Sequence, residues 1–212
     1  MNPIISRIEN IKSLINNSNV KIIAVTKTFS YDVISPLVDY GHLHFGENKV
    51  QEAHSKWSDV KKKNANIQLH MIGKLQSNKA KEAVNLFDYI HSLDSQKLAN
   101  VLVKHENIAN KKLKYFIQVN IGNEKQKGGI AINLLDDFYY YCVKDLKINV
   151  IGLMAIPPNE ATANNYFKKL VELNKLLGLK ELSMGMSADF KIALNYETTF
   201  IRIGSSIFGH RN

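Results

Sequence analysis

The sequence Val-Lys-Ile-Ile-Ala-Val at positions 20–25 is a short, β-branched apolar run, and Thr26-Lys27-Thr28 follows it directly. A run of this kind predicts a buried β-strand, here over residues 20–28. The strand ends with one ammonium group, Lys27, at its carboxyl edge. Burying an unpaired charge is costly, so Lys27 is either an ordinary surface lysine or a group with a partner or a function.

The rest of the chain repeats the pattern of an apolar strand followed by a helix. We predict eight strands, at residues 20–28, 42–48, 67–72, 89–93, 115–121, 150–156, 181–186 and 200–204. Strict alternation predicts parallel strands, and eight of them favour a (β/α)8 TIM-type barrel, formed as a single domain over residues 1–212. An open doubly wound sheet is the alternative, although the first strand–helix turn lacks its Gly-x-Gly-x-x-Gly phosphate loop.

The helices are predicted from apolar residues spaced at three and four positions. Their ranges include an extra N-terminal helix and are 3–17, 31–40, 49–62, 77–86, 134–144 and 161–177, with a short helix from Ala188. Gly41 and Gly178 are expected to end helices, and Ser77 and Ser95 are expected to cap them at the N-terminus.

The composition describes a chain that can bury a large core, with 45% hydrophobic residues among 212. It has no apolar run of eighteen residues and no charged leader before an apolar segment, so we expect neither a membrane span nor a secretory signal. Cys142 is the only cysteine. We interpret it as a buried thiol and expect a reducing, cytoplasmic location.

The net charge of +9 raises the alternative of a nucleic-acid binder. Only three of the 28 basic residues are arginines, whereas base and phosphate readout relies on the arginine fork. The dense cluster at 61–63 lies at a predicted helix end, where cations favourably meet the helix dipole, and we interpret it as a solvated terminus. We therefore expect no nucleic-acid partner.

In a barrel of parallel strands, the site lies at the carboxyl ends of the strands. The residues there are Lys27, Asn48, His70, Asn120, Met154, Ser187, Arg202, Gly204 and Ser205. The loops after strands seven and eight often bind phosphate. Ser187 stands at a predicted helix N-cap, and Gly204 lets the backbone approach a ligand closely beside the hydroxyl of Ser205.

The histidines favour a different interpretation. His42 and His44 lack an obvious third ligand, so we predict no metal site. His70 is interpreted as a pocket or core residue rather than as a catalyst.

A lysine close to a phosphate site favours pyridoxal 5′-phosphate (PLP), held as a Schiff base. Six segments carry a more specific signal: Ala24–Thr28, Phe45–Glu52, His70–Lys79, Gly152–Pro157, Leu182–Ser187 and Arg202–Gly209. In these segments, and in their order, the chain resembles the pyridoxal-phosphate homeostasis protein family, which are single-domain relatives of the alanine racemase barrel. The departures are Ser205, where many relatives have threonine, and Leu69, where tryptophan is frequent.

The resemblance implies the role of each site residue. Lys27 matches the lysine that holds PLP covalently as a Schiff base, and Asn48 lies in a motif that lines the cofactor pocket. Arg202 matches an arginine that faces the pyridine nitrogen. The residues that match the phosphate-binding positions are Ser187, Gly204 and Ser205.

The resemblance also implies a function in intracellular PLP (vitamin B6) homeostasis with no assigned catalytic residue. An arginine beside the pyridine nitrogen disfavours its protonation, which makes the ring a weaker electron sink. A racemase needs a second acid or base, which alanine racemase takes from a partner subunit in a dimer with an extra β-domain. Because the printed chain ends at Asn212, just past strand eight, we expect no such domain and a monomer. The expected partners are PLP and the recipients of PLP, either PLP-dependent apoenzymes or amino acids.

The alternative is a PLP-dependent amino-acid racemase-like enzyme built on the same barrel. Its second base would be a tyrosine or His70.

Overall fold

Within the residues that the computed structural model describes, 2–15, 19–124, 126–158 and 163–209, eight parallel strands close into a barrel. The strands are β1 (Lys21–Val25), β2 (His44–Glu47), β3 (Gln68–Met71), β4 (Tyr89–Leu93), β5 (Lys114–Gln118), β6 (Val150–Met154), β7 (Glu181–Met186) and β8 (Phe200–Ile203). Each strand pairs with the next along the chain, and β8 pairs with β1 to close the barrel. The predicted (β/α)8 barrel is confirmed, and the open sheet was the wrong alternative.

Helices surround the barrel and connect its strands. They are α1 (Pro3–Ser13), α2 (Tyr31–Asp39), α3 (Val50–Lys63), α4 (Ala80–Leu86), α5 (Gln96–Ala109), α6 (Leu135–Tyr140), α7 (Ala163–Leu176), α8 (Phe190–Ala193) and α9 (Ser205–Phe208). Helix α1 is the predicted extra helix and precedes the barrel. No helix of the described residues is long and apolar enough to cross a membrane.

Several predicted helix ends are confirmed by the backbone. Gly41 and Gly178 have φ of +89° and +67°, the left-handed conformation that favours glycine after a helix. The hydroxyl of Ser95 accepts a hydrogen bond from the backbone N–H of Leu98 at 3.3 Å, as expected of a cap.

Other predicted boundaries were wrong. Ser77 lies inside a 3-10 turn (Ser77–Lys79) that leads into α4, and its side chain caps neither element. The continuous helix predicted over 134–144 is instead α6 followed by a π-helical turn (Tyr141–Asp145). The first helix ends at Ser13, and residues 16, 17, 161 and 162 of the predicted helices lie outside the described residues.

Six of the eight strands are shorter than predicted, and for β1 this changes the position of the key lysine. Strand β1 ends at Val25, so Lys27 lies in the turn that follows and not in the strand itself. A strand ends where its backbone stops pairing with the neighbouring strands. The apolar pattern of the sequence does not indicate that point. The outer core includes Trp57 and Cys142, both fully buried, which confirms the interpretation of Cys142.

A second apolar cluster contains Ile23, Tyr89, Phe116, Met154 and Phe200. These side chains fill the inside of the barrel, as in other (β/α)8 proteins.

The lysine cluster in the last turn of α3 is only partly the solvated terminus that the sequence suggested. The Lys62 side chain is 77% exposed and pairs with exposed Asp59. Lys61 is mostly buried and bonds to the carboxylate of Asp88 at 2.5 Å and to the carbonyl of Leu86. Lys61 therefore binds the C-terminal end of α4, which is a structural role.

Candidate functional site

A cavity of about 470 Å³ lies at the carboxyl ends of the strands. All six predicted cofactor-binding residues line it: Lys27, Asn48, Ser187, Arg202, Gly204 and Ser205. The remaining described lining residues are mostly apolar, namely Val25, Phe29, Ile72, Ile156, Met186, Ala188 and Gly209. Apolar walls with a few convergent polar groups are typical of small-molecule sites.

Three other strand-end residues lie elsewhere. His70 is fully buried and hydrogen-bonded to two further histidines inside the barrel. The side chain of Asn120 bonds to the backbone of Glu124 and so holds the loop after β5. Met154 packs in the inner apolar cluster. Proximity to a strand end was insufficient for these three, because side-chain direction alternates along a strand and the interior has several layers.

Lys27 lies in a turn that is held from both sides. The N–H of Thr26 donates to the carbonyl of Gly46 at 2.9 Å, and the Thr26 carbonyl accepts from the N–H of Phe29 at 3.2 Å. On the other side, the N–H of Thr28 donates to the carboxylate of Glu52. Thr28 has φ of +70°, a conformation that β-branched residues rarely adopt. A strained residue of this kind persists only where its surroundings fix it, which is typical of functional turns.

A buried ion pair, which we call the Glu47–Lys56 clamp, supports this turn. The carboxylate oxygen Oε1 of Glu47 accepts from Lys56 Nζ at 2.8 Å, Thr26 Oγ1 at 2.6 Å and Trp57 Nε1 at 2.9 Å. Lys56 Nζ also donates to the Thr26 carbonyl at 2.7 Å and to Glu52 at 3.1 Å. Glu47 is fully buried and the Lys56 side chain is 7% exposed. The clamp therefore ties α3 to the lysine turn.

Sequence reasoning missed the clamp. Glu47 was visible only as part of a motif, and Lys56 looked like one more surface lysine. The single tryptophan beside Lys56, on the apolar face of α3, was the available signal that this part of the helix is buried.

The loops after β7 and β8 are joined through Ser187. Its Oγ accepts from the backbone N–H groups of Gly204 and Ser206, at 3.2 and 3.4 Å. The prediction of Ser187 as a helix N-cap was wrong, because α8 begins only at Phe190 and follows Asp189, whose carboxylate accepts from the N–H of Met186 at 2.6 Å. The Ser187 hydroxyl therefore lies beside a group of backbone N–H donors on the neighbouring loop.

Gly204 leaves room in this group of donors. A Cβ at this position would meet Val25 at 3.5 Å, an ordinary contact, so packing of the chain does not itself require glycine. The absent side chain instead keeps the wall of the cavity open beside the N–H donors. Hydroxyl and N–H groups that converge on an open space suit the oxygens of a phosphate.

Arg202 supplies a buried positive charge at the same cavity. Its side chain donates from Nη1 to Ser183 Oγ at 2.7 Å and from Nη2 to the Ala155 carbonyl at 3.0 Å. The residue is 4% exposed. Burial lowers the pKa of Arg202 to about 10, with the charge of Asp189 acting in the opposite direction. The guanidinium therefore stays charged at neutral pH and attracts anionic ligands.

Asn48 is placed by a close approach of two loops. A Cβ on Gly73 would lie 2.4 Å from the Asn48 carbonyl oxygen and 2.7 Å from its Cα. Only glycine lets the chain after β3 pass this close to the chain after β2. Gly73 is a second residue whose role sequence reasoning did not identify.

Among solved and curated proteins, this combination of barrel and site defines a class. The chain matches the family described as alanine racemase, N-terminal domain, over residues 2–212, and it belongs to that family. The pyridoxal phosphate homeostasis protein of Aquifex aeolicus is 36% identical over 200 residues, which cover 90% of this chain and 87% of that protein. That of Haemophilus influenzae is 34% identical over 214 residues, covering 93% and 87%. The chain is a member of the pyridoxal phosphate homeostasis protein family.

Solved structures agree with this assignment. PipY of Synechococcus elongatus, in a structure with PLP bound, superposes with a TM-score of 0.89 at 32% identity, covering 97% of this chain and all of that one. An alanine racemase of Clostridium difficile has a TM-score of 0.80 at 13% identity and covers all of this chain but 57% of its own. That second likeness concerns the barrel fold alone.

Proposed function

We propose that this protein binds pyridoxal 5′-phosphate in the described cavity and acts in intracellular PLP homeostasis, holding PLP as a Schiff base on Lys27. The observation that carries the proposal is the convergence of six residues, predicted from separate parts of the sequence, on one cavity. The PLP bound to PipY and the names of the curated relatives support it.

The residues fit the chemical groups of PLP. Ser187, Gly204 and Ser205 bind the phosphate through hydroxyl and backbone N–H groups. Arg202 would face the pyridine nitrogen, and Asn48 lines the pocket wall. The cavity of about 470 Å³ lies within the range of about 300–1,000 Å³ that is usual for small-ligand sites.

When bound, PLP supplies an aldehyde and an electron-withdrawing ring. The amine of Lys27 would hold the aldehyde carbon through a C=N bond, with the aldehyde oxygen released as one water molecule. Arg202 remains a cation and so disfavours a second positive charge on the ring nitrogen. Carbanion chemistry is poorly supported in that environment, which favours a reversible carrier over an enzyme with substantial turnover.

The experiment is to load the purified protein with PLP, reduce it with borohydride and dialyse it. The wild type should keep the absorbance of the pyridine ring, at a shorter wavelength than before reduction, and carry the adduct on the peptide that contains Lys27, whereas Lys27→Ala should lose both. Lys49→Ala, at an exposed position beside the cavity, is the matched control and should behave as the wild type. A stable adduct in Lys27→Ala would refute the assignment of the lysine.

The alternative to a PLP carrier is the racemase-like enzyme. Deuterium exchange at Cα of a panel of L-amino acids, dependent on Lys27 and at enzymatic rates, would establish turnover and overturn the carrier role. The proposal further includes a cytoplasmic monomer that delivers PLP to apoenzymes or amino acids. Light scattering of the purified protein measures the oligomeric state, and transfer of PLP to an added apoenzyme measures delivery.

A further inference from the structure

A chain of hydrogen bonds crosses the inside of the barrel and ends at Arg202. We call its first three members, His44, His70 and His91, the histidine chain. Its nitrogen–nitrogen distances are 3.0 Å between His44 Nδ1 and His70 Nε2, and 2.9 Å between His70 Nδ1 and His91 Nε2. His91 Nδ1 then lies 2.8 Å from Ser183 Oγ, which accepts from Arg202 Nη1 at 2.7 Å.

This chain is unusual for the interior of a barrel. Apolar side chains normally fill that space, and a buried polar group costs free energy unless it is hydrogen-bonded. His70, His91 and Ser183 are all fully buried. Tyr89 stacks on the His70 ring with centroids 4.2 Å apart, and Phe116 stacks on the His91 ring at 4.3 Å. The ring planes are therefore fixed, and the polar atoms are paired with one another.

The number of available protons gives the chain a direction. Burial lowers the pKa of His70 and His91 well below the usual value, so both rings are neutral and each has one N–H. Arg202 can only donate, so Ser183 Oγ accepts from it. The described residues give Ser183 Oγ two partners, and its own hydrogen is therefore directed to His91 Nδ1.

That direction propagates along the chain. With Nδ1 as an acceptor, His91 must have its hydrogen on Nε2 and donate to His70 Nδ1. By the same step His70 donates from Nε2 to His44 Nδ1. All the hydrogen bonds then point away from Arg202, and bonds aligned in this way strengthen one another. The ring nitrogens named above are thus occupied by hydrogen bonds. Among the described residues, no group of three or more His, Cys, Asp or Glu side chains could hold a metal ion.

We propose that Ser183 is a positioning residue for Arg202, and that the histidine chain fixes the direction of the Ser183 hydroxyl and so the guanidinium in the cavity. Ser183 holds Nη1 and the Ala155 carbonyl holds Nη2, which sets the plane of the guanidinium. The inference rests on the proposed function only in that Arg202 acts there on bound PLP. A guanidinium held in place before binding costs less to order when the ligand arrives.

The first test requires no cofactor. Long-range ¹H–¹⁵N correlation spectra of the apoprotein at neutral pH should show His91 and His70 as neutral rings protonated at Nε2. A proton on Nδ1 of His91, or a charged ring at either position, overturns the proposal. Because PLP is absent, this measurement stands even if the cavity proves to bind another ligand.

The second test uses the absorbance of bound PLP, which responds to the charge beside its ring. Ser183→Ala removes the bond to Arg202, and His91→Phe removes the chain while keeping a ring against Phe116. Both variants should shift the absorbance maximum and weaken PLP binding about tenfold or more, since a lost hydrogen bond to a charged group has roughly that effect. An unchanged maximum in either folded variant overturns the proposal.

Two further variants separate positioning from general packing. His91→Asn can still offer a side-chain oxygen to Ser183 and should restore the wild-type maximum that His91→Phe loses. Ser92→Ala is the matched control. Ser92 is a buried serine next to His91 on β4, and its hydroxyl has no partner among the described residues. Ser92→Ala should keep both the maximum and the affinity. A shift in Ser92→Ala equal to that in Ser183→Ala would overturn the proposal.

Discussion

The Glu47–Lys56 clamp offers a direct test of how the lysine turn is held. Replacing Lys56 by Met removes the cation, keeps a side chain of comparable length, and leaves the fully buried Glu47 carboxylate without its charge partner. The substitution also removes the bonds from Lys56 Nζ to Thr26 and Glu52. Breaking a buried ion pair from one side costs about 3–5 kcal/mol. That is a large part of a typical free energy of unfolding, about 5–15 kcal/mol.

The assay is urea unfolding followed by far-UV circular dichroism and by the fluorescence of Trp57. Trp57 is the only tryptophan, and its Nε1–H donates to the same Glu47 oxygen, so its emission reports on the clamp. With an m-value of about 2 kcal/mol/M, the midpoint of Lys56→Met should fall by about 1.5–2.5 M. Lys62→Met is the matched control on the same helix. The ion pair of Lys62 with Asp59 is exposed, and such a pair contributes at most about 1 kcal/mol.

The double variant Glu47→Gln/Lys56→Met removes both charges and should recover part of the loss, because no buried charge is then left unpaired. We also expect Lys56→Met to retain PLP less well than Lys62→Met, since the backbone on both sides of Lys27 loses support. Equal midpoints for the two single variants would refute the reasoning. The reasoning would also be refuted if the double variant were less stable than Lys56→Met by the full amount that Glu47→Gln costs alone.

Three more predictions concern the buried histidines, Gly73 and Cys142. Burial lowers the pKa of His44 to about 4 and those of His70 and His91 well below the usual value of about 6.5, so the unfolded chain binds more protons in acid. The free energy of unfolding should fall below about pH 6.5, by up to about 1.4 kcal/mol per pH unit for each histidine, and a flat series of urea midpoints between about pH 7.5 and 5.5 would contradict this. Gly73→Ala should lower the thermal midpoint by an amount equivalent to about 1–3 kcal/mol and weaken PLP binding, because its Cβ meets backbone at 2.4 Å. Burial raises the pKa of Cys142 to about 12, so Ellman's reagent should react with it only upon unfolding, and rapid labelling of the native protein would show that it is accessible.

The sequence was a good guide to the barrel because its signals there are local. The bounds of β4 and β7 were predicted to the residue, and the other strands were predicted within a few positions at each end. Apolar periodicity needs only neighbouring residues, and strict alternation then determines parallel pairing. The six cavity residues could be predicted because each stands at, or just after, the carboxyl end of a strand, where the fold collects such groups.

What could not be predicted is which side chains bond to each other. Ser183 was one residue of a motif, but its partner His91 lies 92 positions away. The histidines were interpreted one by one, and a chain of bonds exists only when three strands place them in line. The Ser187 hydroxyl was assigned to the nearest helix, whereas it bonds to a loop 17 residues further on. Local patterns contain no information about such distant partners.

The two buried networks support different residues that line the cavity. The clamp reaches the lysine turn from α3 and β2, and the histidine chain on β2, β3 and β4 reaches Arg202 through Ser183 on β7. Their described hydrogen bonds share no side chain. One network therefore orders the lysine proposed to bind PLP covalently, while the other orders the cation proposed to face its ring. Substitutions in different networks should have additive effects on PLP binding, as is usual for separate sites, whereas substitutions within one network should not.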